Sequence, residues 1–277
     1  MSISPRAGVI GWPIGHSRSP RVHGYWLRHY GLAGRYEARA VDPDRFERDI
    51  GALLADGFVG WNVTLPHKER MRRRVDTCDP LAARIGAVNT VVVAADGSLL
   101  GRNTDAFGFI ENLNVNAPGW HRPGRPVCVI GAGGAARAMI AGLLEAGVSE
   151  IRISNRTAER AAAIAADFAP SVIEVDWAWR AEALADCALL ANSTSLGMHG
   201  QPALDLSLDA LPGDAVVTDA VYAPLETALL RQARARGART VDGLGMLLYQ
   251  AVPGFEAWFG RRPEVTTALR RHVLEAD

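Results

Sequence analysis

Apolar positions along the chain recur with two periods, which predicts a succession of strands and helices. The clearest example is the segment Pro126 to Thr157. A β-branched run, Val127 to Ile130, stops at a glycine cluster, and apolar residues then recur at helical spacing up to Gly147. A second short β-branched run, Ile151 to Ser154, follows. This pattern predicts strand, tight turn, helix and strand, the first half of a βαβ unit.

The chain before this segment shows the same succession of apolar runs and amphipathic stretches. The predicted elements are a strand at Ala7–Ile10, a helix that begins near Pro20, a strand at Tyr36–Val41, a helix at Phe46–Leu54, a strand that Pro66 ends, a strand at Ile85–Val93 and a helix at Ala106–Leu113. Asn114 to Arg125 is rich in Pro, Gly and Asn and lacks periodicity, so it is predicted to be a linker.

The chain after Thr157 continues in the same way. The predicted elements are a helix over Ala161–Ala166, strands at Ala188–Leu190 and Ala215–Thr218, a helix at Leu225–Arg236 and a final helical region that begins at Asp242. Pro253-Gly254 is predicted to end or kink that last helix, because proline has no N–H to donate within a helix.

Composition excludes several classes of function. At 277 residues, the chain has the length of one large or two ordinary domains. Lys plus Arg and Asp plus Glu both number 30, so no net charge favours nucleic acid or an anionic membrane. The three cysteines lack metal-binding spacing and indicate reduced thiols in a cytosol. Without a signal pattern or an apolar run of membrane-spanning length, the protein is expected to be soluble and cytoplasmic.

The glycine cluster after the first strand of the βαβ segment predicts a nucleotide site. The spacing of Gly131, Gly133, Gly134 and Ala136 lets the backbone approach a pyrophosphate at the helix N-terminus. Free N–H groups and the helix dipole favour an anion there. The second strand then ends where a ribose-binding residue belongs. The alternative interpretation is a close-packed turn between strand and helix that binds no ligand.

The residues after the second strand favour NADP over NAD. An NAD enzyme would carry Asp or Glu at the ribose position, whereas this chain carries Asn155-Arg156-Thr157, with Arg160 one helical turn later. A guanidinium group binds a phosphate with paired hydrogen bonds, and a carboxylate would repel it. The alternative is that Arg156 and Arg160 form a solvated helix start.

Two loops near the N-terminus carry further candidate residues. Ser17 and Ser19 precede the first helix, where two hydroxyls beside free N–H groups suit a carboxylate but also suit a helix cap. Thr64 and Lys68 follow the third strand, at the edge where open parallel sheets bind ligands. Lys68 is there either a proton donor or a surface lysine. Asp105 begins a predicted helix and could be an N-cap with a second role.

Taken together, these motifs resemble the motif set of the shikimate dehydrogenase family, in the family's order. They are the loop with Ser17 and Ser19, then NVTLPHK, GAVNT, GRNTD, GAGGAARA, NRT, NSTSLGM, DAVYAP and GLGMLLYQA. The resemblance covers nearly the whole chain, and nine ordered motifs are far more specific than a glycine pattern alone.

The resemblance implies an α/β fold with two domains. The substrate-binding domain, which contains an open twisted sheet, is expected to comprise Met1–Thr104 and Gly243–Asp277. A Rossmann-type domain that binds NADP(H) is expected at Asp105–Asp242, and the C-terminal helices return to the first domain.

The resemblance also assigns roles to individual residues. Substrate-binding roles are implied for Ser17, Ser19, Thr64, Lys68, Asn89, Asp105, Tyr222 and Gln250. Cofactor-binding roles are implied for Gly131, Ala132, Gly133, Gly134, Ala135, Asn155, Arg156, Thr157, Arg160, Ser193, Thr194, Met198, Val221, Gly243 and Met246. Lys68 and Asp105 are the expected catalytic residues, and no metal is expected.

The implied activity is the reversible, NADPH-dependent reduction of 3-dehydroshikimate to shikimate in the shikimate pathway, which supplies chorismate and aromatic amino acids. The expected partner is this small substrate, with no nucleic acid or membrane, in a monomer or homodimer. Alternatives are a dehydrogenase that acts on quinate with NAD or on an amino-shikimate, and a non-catalytic relative that senses quinate or shikimate. The last would lose the acid or the cofactor loop, which this chain retains.

Overall fold

The fold was analysed in a computed structural model that describes residues 4–275. The strands are β1 (Arg6–Gly11), β2 (Arg35–Ala40), β3 (Phe58–Val63), β4 (Thr77–Cys78), β5 (Thr90–Val93), β6 (Leu99–Arg102), β7 (Val127–Ile130), β8 (Ile151–Ser154), β9 (Val172–Glu174), β10 (Leu189–Asn192), β11 (Val216–Asp219) and β12 (Arg239–Val241). The α-helices are α1 (Ser19–His29), α2 (Phe46–Ala55), α3 (Lys68–Arg74), α4 (Pro80–Ile85), α5 (Asp105–Asn116), α6 (Gly134–Glu145), α7 (Ala158–Asp167), α8 (Ala228–Ala235), α9 (Leu244–Phe259) and α10 (Thr267–Leu274).

The chain forms two compact units. The first unit comprises the chain up to Thr104 together with the chain from Leu248 onward, and the second comprises Asp105–Leu247. The second boundary between the units therefore lies inside α9. Each unit contains one six-stranded sheet.

The first unit is built on a mixed sheet with the strand order β2-β1-β3-β5-β6-β4. β1 pairs in parallel with both β2 and β3, whereas β5 runs antiparallel to β3 and β6. The parallel half has the crossover helices that such strands need, α1 between β1 and β2 and α2 between β2 and β3. The side chains of Ile10, Phe46, Ile50 and Trp61 pack together in its core.

The second unit is a doubly wound parallel sheet. Its strand order is β12-β11-β10-β7-β8-β9, and all of its pairs are parallel. In chain order this is the Rossmann arrangement, in which the direction of winding reverses between β7 and β10. The residues of β7, β10 and β11 are buried throughout, as expected for central strands covered by helices on both faces.

The βαβ elements predicted from the sequence are confirmed as β7, α6 and β8. Several other predictions were wrong in detail. Ile85 to Val93 is not one strand, because α4 ends at Ile85 and Gly86 takes a left-handed conformation with a φ of 80° before β5 begins. The predicted linker from Asn114 begins inside α5, which continues to Asn116.

The prediction that Pro253-Gly254 ends or kinks the last helix was wrong about an end there. α9 continues through Pro253 to Phe259. The helix lacks the hydrogen bond that the proline cannot donate, but tertiary contacts stabilise the residues after it. Phe255 is fully buried, and the indole of Trp258 donates a hydrogen bond of 3.0 Å to the Val91 carbonyl. A Cβ at Gly254 would lie 2.9 Å from that indole, so the glycine lets Trp258 pack over the helix.

A buried aromatic cluster joins α1 to β2 in the first unit. His23 is fully buried, and its ring stacks on that of Tyr36 with a centroid distance of 3.8 Å and an interplanar angle of 4°. Trp26 meets the His23 ring edge-on. Burial lowers the pKa of His23 to about 3, so the ring is neutral near pH 7.

We expect His23 to make the protein sensitive to acid. Because its pKa is lowered in the folded state, the unfolded chain takes up the proton first, and stability is lost as the pH falls below about 6.5. Between pH 7.5 and 4.5 this residue should cost roughly 2 to 3 kcal/mol of unfolding free energy, at about 1.4 kcal/mol per pH unit. Urea unfolding at both pH values should show a smaller loss for His23→Phe than for the wild type. Equal losses would contradict this account.

Candidate active site

Two loops of the first unit leave the sheet side by side. β1 and β3 are adjacent parallel strands, and the winding of the sheet reverses between them. Ligands of open α/β sheets bind beside the carboxyl ends of strands at such a reversal. The Thr64 N–H donates to the Ile10 carbonyl at 2.9 Å, and the Trp12 N–H donates to the Leu65 carbonyl at 3.0 Å. The predicted serine loop and the predicted lysine loop are thus joined through their backbones.

Ser17 and Ser19 lie at the start of α1. Ser19 is the first residue of the helix and is buried, and no side chain caps the helix at Arg18. The Ser19 N–H makes a long hydrogen bond of 3.4 Å to the Ser17 hydroxyl oxygen. The Ser17 oxygen therefore accepts one N–H of the first helical turn, which fits the helix-cap interpretation for Ser17. The binding of a carboxylate by the two serines stays a prediction.

Thr64 and Lys68 lie in a tight turn that His67, just before Lys68, stabilises. His67 is buried, its N–H donates to the Thr64 carbonyl at 3.0 Å, and its Nε2 lies 2.7 Å from the Val41 carbonyl oxygen. A carbonyl only accepts, so the ring donates from Nε2. Lys68 is half-buried at the first position of α3, and its carbonyl accepts the Val88 N–H at 3.0 Å. His67 had no role in the sequence analysis.

Asn89 is the centre of a buried polar cluster beside these loops. Its Oδ1 accepts the Thr104 N–H at 2.8 Å and the Thr90 hydroxyl at 3.0 Å. Its Nδ2 donates to the Gln250 Oε1 at 3.5 Å. The structure therefore brings together two of the predicted substrate residues, Asn89 and Gln250, although they are 161 positions apart in the sequence.

Asp105 follows this cluster directly along the chain. It is half-buried at the first position of α5, where the helix dipole favours a carboxylate. The position agrees with the helix start that the sequence predicts. A catalytic role for Asp105 with Lys68 stays a prediction.

The glycine turn of the second unit is open on one side. Gly131 has a φ of 108°, and a Cβ there would lie 2.5 Å from the Ser193 hydroxyl oxygen, so only glycine fits. Gly133 is the N-cap of α6, which begins at Gly134. A Cβ at either position would meet no atom within 4 Å. This open space beside a helix N-terminus supports the anion-cradle interpretation over a close-packed turn.

The loop after β10 faces that turn across the reversal of the sheet. The Ser193 hydroxyl donates to the Ile130 carbonyl at 2.8 Å. The Asn192 Oδ1 accepts both the N–H of Thr194, at 3.0 Å, and its hydroxyl, at 2.8 Å. Further along the same loop, Met198 is 41% exposed. Ser193 and Thr194 therefore lie beside the glycine turn, as the sequence predicts.

A buried carboxylate anchors this loop and the next one. Asp219, at the end of β11, is 1% exposed and accepts hydrogen bonds from the Asn192 amide at 2.9 Å, the Thr227 hydroxyl at 2.7 Å and the Val221 N–H at 3.0 Å. Burial raises its pKa, and these donors oppose the rise. Val221 and the half-buried Tyr222 are positioned in this way. Sequence reasoning missed Asp219, although an acid at the end of an apolar strand was a usable signal.

The basic residues after β8 remain at the surface. The Asn155 amide donates to the Thr157 carbonyl at 2.9 Å, which shapes the turn into α7. Arg156 and Arg160 are exposed, and neither forms an ion pair within residues 4–275. Their guanidinium groups are thus accessible at the end of the second strand.

The segment before α9 makes close backbone contacts. A Cβ at Gly243 would lie 2.4 Å from a carbonyl oxygen of the loop after β11, and one at Gly245 would lie 1.7 Å from the Asn112 Oδ1. The Asn112 amide also donates to the Asp242 carbonyl at 2.8 Å. Only glycine fits at these two positions. Met246, on the first turn of α9, is half-buried.

These features define a class of protein. The second unit is a Rossmann fold with an open glycine turn, small polar loops and accessible arginines at the carboxyl ends of its strands, which fits a dinucleotide with an additional phosphate. The first unit is a separate α/β fold with a polar site at the reversal of its own sheet. Among residues 4–275, no group of His, Cys, Asp and Glu side chains could hold a metal ion, and no helix is long and apolar enough to span a membrane.

Comparison with known proteins identifies the family. The models "Shikimate dehydrogenase substrate binding domain", "Shikimate / quinate 5-dehydrogenase" and "Shikimate 5'-dehydrogenase C-terminal domain" match residues 9–91, 121–196 and 243–271. The shikimate dehydrogenase (NADP(+)) of Paramagnetospirillum magneticum is 61% identical over 97% of each chain, and that of Rhodospirillum rubrum is 56% identical over 97% of this chain and 96% of its own. The chain belongs to the shikimate dehydrogenase family.

Solved structures show the same fold. The shikimate 5-dehydrogenase of Thermus thermophilus, in complex with NADP(H) and shikimate, has a TM-score of 0.87 at 36% identity. The quinate dehydrogenase of Corynebacterium glutamicum, in complex with NAD, has a TM-score of 0.91 at 31% identity. Each alignment covers 98% of this chain and 99% of the other. The α/β fold predicted from the sequence is confirmed.

Proposed function

We propose that this chain is an NADP-dependent shikimate dehydrogenase, which reversibly reduces 3-dehydroshikimate to shikimate in the pathway to chorismate and the aromatic amino acids. The observation that carries the proposal is the identity of 61% to an NADP-dependent shikimate dehydrogenase over nearly the full length. The retention of Lys68, Asp105 and the open glycine turn supports it, because a sensor without activity would not need all three.

In the proposed reaction, NADPH supplies a hydride to the substrate ketone, and the protein supplies the proton. Lys68, at the edge of the first sheet, would donate it from its ammonium group to the developing alkoxide, whose charge it also stabilises. Asp105 would orient Lys68 and bind a substrate hydroxyl. Asn89 and Gln250 would bind ring hydroxyls, with Thr64 beside them. Ser17, Ser19 and Tyr222 would bind the carboxylate.

The cofactor would lie on the second unit. Residues of the glycine turn, Gly131 to Ala135, would bind the pyrophosphate at the N-terminus of α6. Arg156 and Arg160, with Asn155 and Thr157, would bind the 2′-phosphate that distinguishes NADP from NAD. The loop residues Ser193, Thr194, Met198 and Val221, with Gly243 and Met246, would line the nicotinamide end.

Quinate with NAD is the second candidate pair. It is favoured by the fold match to the Corynebacterium glutamicum quinate dehydrogenase, solved with NAD. Arg156 argues against NAD as the preferred cofactor, because no carboxylate occupies the ribose position. We further propose that the substrate-binding domain comprises Met1–Thr104 and Gly243–Asp277, the NADP domain Asp105–Asp242, and that the protein works in the cytoplasm as a monomer or homodimer.

The proposed function is tested by initial rates at 340 nm with shikimate or quinate, each with NADP or NAD. We expect shikimate with NADP to be the best pair, with kcat/KM for shikimate at least about 100-fold above that for quinate. Two serines around a planar carboxylate leave little room for the tertiary hydroxyl of quinate, although a pocket rejects an added hydroxyl only modestly. Equal efficiency with quinate would refute the substrate assignment and leave the fold unaffected.

Lys68→Ala and Asp105→Asn should each lower kcat by about 10² to 10⁴-fold, with smaller changes in KM, as the loss of a general acid does. Steady-state kinetics in the direction of ketone reduction measures both constants. Glu69→Ala, an exposed neighbour on α3, is the control and should leave kcat unchanged. A near-normal kcat for Lys68→Ala would rule out this mechanism.

Arg156→Ala should weaken NADP binding by roughly 10- to 150-fold and change NAD binding little. The expected loss is that of charge-assisted hydrogen bonds worth about 1.5 to 3 kcal/mol. Cofactor titration by fluorescence measures both dissociation constants. Equal losses for the two cofactors would mean that Arg156 contributes to the fold and not to the 2′-phosphate.

A further inference from the structure

Asn112, on α5, has no role in the sequence analysis, yet it contacts the segment Asp242–Met246, which we call the nicotinamide segment. Its side chain is only 2% exposed. The Asn112 Nδ2 donates to the Asp242 carbonyl at 2.8 Å, and the Oδ1 accepts the Asn116 Nδ2 at 2.9 Å from the next turn of α5. A carbonyl only accepts, so the bond to Asp242 fixes the orientation of the Asn112 amide. All of these residues belong to the second unit.

The same amide occupies the space that a side chain at position 245 would need. A Cβ at Gly245 would lie 1.7 Å from the Asn112 Oδ1, 2.4 Å from its Cγ and 3.0 Å from its Nδ2, and these are the three nearest atoms. Gly245 is in the first turn of α9, and the missing side chain lets the backbone of that turn approach α5. The start of α9 therefore rests on the Asn112 side chain.

The nicotinamide segment is also packed against the end of β11. A Cβ at Gly243 would lie 2.4 Å from the Ala220 carbonyl oxygen and 2.7 Å from that of Asp219. These contacts are steric and set how closely the backbone approaches β11. The hydrogen bond from Asn112 adds a direction to them, because it ties the Asp242 carbonyl to one point on α5.

The helix that holds this segment also carries Asp105, the proposed partner of Lys68. Asp105 is the first residue of α5, and Asn112 follows about two turns later, so both lie on one side of the helix, about 10 Å apart along its axis. A shift of the nicotinamide segment along α5 would therefore also be a shift relative to Asp105.

We propose that Asn112 is a positioning residue that holds Gly243 and Met246 in place for the nicotinamide ring of the cofactor. This inference rests on the proposed function and deepens it. Without the amide, the Asp242 carbonyl loses its bond to α5, and binding of the ring would have to order the segment. The loss of one neutral hydrogen bond corresponds to about 2- to 13-fold in affinity.

Calorimetric titration of the protein with NADP and with 2′-phospho-ADP-ribose tests the inference. The second ligand keeps the 2′-phosphate and the pyrophosphate of NADP and lacks the nicotinamide ring. The measured quantity is the ratio of the two dissociation constants, which reports how much the ring adds to binding. Asn112→Ala should lower this advantage of NADP by about 2- to 13-fold and leave the affinity for 2′-phospho-ADP-ribose within about twofold of the wild type.

Asn116→Ala is the matched control. It removes an asparagine one turn further along α5 that bonds to Asn112 and not to the nicotinamide segment, and it should leave the ratio unchanged. An unchanged ratio for Asn112→Ala would overturn the inference. Equal losses for the two ligands would do the same, because they would mean a general disturbance of the second unit.

The double variant Asn112→Ala/Gly245→Ala separates positioning from packing. The new methyl at position 245 enters the space that the Asn112 amide leaves, but it cannot donate to the Asp242 carbonyl. The ratio should therefore remain low in the double variant. A ratio that returns to the wild-type value would mean that Asn112 only fills space, and the inference would be wrong.

The double variant also carries the test if Asn112→Ala alone does not fold, as judged by thermal unfolding. If neither variant folds, Asn112 is a residue of the fold and the inference is overturned. A wild-type protein that binds no NADP and does not turn over shikimate would overturn the proposed function, and this inference with it. An active wild type whose ratio does not respond to Asn112→Ala would overturn the inference alone.

Discussion

Both units depend on one constraint, the burial of parallel strands that have helices beside them. Because helices cover both faces of such strands, side chains along the strands cannot reach a ligand, and functional groups lie in the loops at the carboxyl ends. In the second unit this brings the turn after β7 against the loop after β10, so closely that Gly131 cannot carry a Cβ. In the first unit it joins the loops after β1 and β3 through backbone hydrogen bonds.

Buried asparagines then connect these loops. A side-chain amide both donates and accepts hydrogen bonds, so one asparagine can bond to polar groups of two different segments. These groups lose their hydrogen bonds to water when they are buried, and the asparagine replaces them. Asn89 does this between its own strand, Thr104 and Gln250, and Asn192 does it between Thr194 and Asp219. The same device positions proposed substrate groups in one unit and proposed cofactor groups in the other.

The sequence indicated the βαβ segment correctly because periodicity, glycine spacing and β-branched runs agree there. Sequence patterns gave the wrong secondary structure at two places, around Pro253 and at residues 85–93. Pro253 lacks an N–H, but the burial of Phe255 and the bond from Trp258 to Val91 keep α9 continuous. Residues 85–93 show a strand composition, but Gly86 ends a helix at their start.

The sequence by itself determined the family, the fold class and the identity of the candidate residues, because nine motifs in order specify the glycine turn, the basic ribose position and the polar loops. Only the tertiary structure decided how those residues are held. Hydrogen bonds between side chains far apart in the chain have no local pattern, so neither the anchoring by Asp219 nor the contact between Asn89 and Gln250 could be predicted.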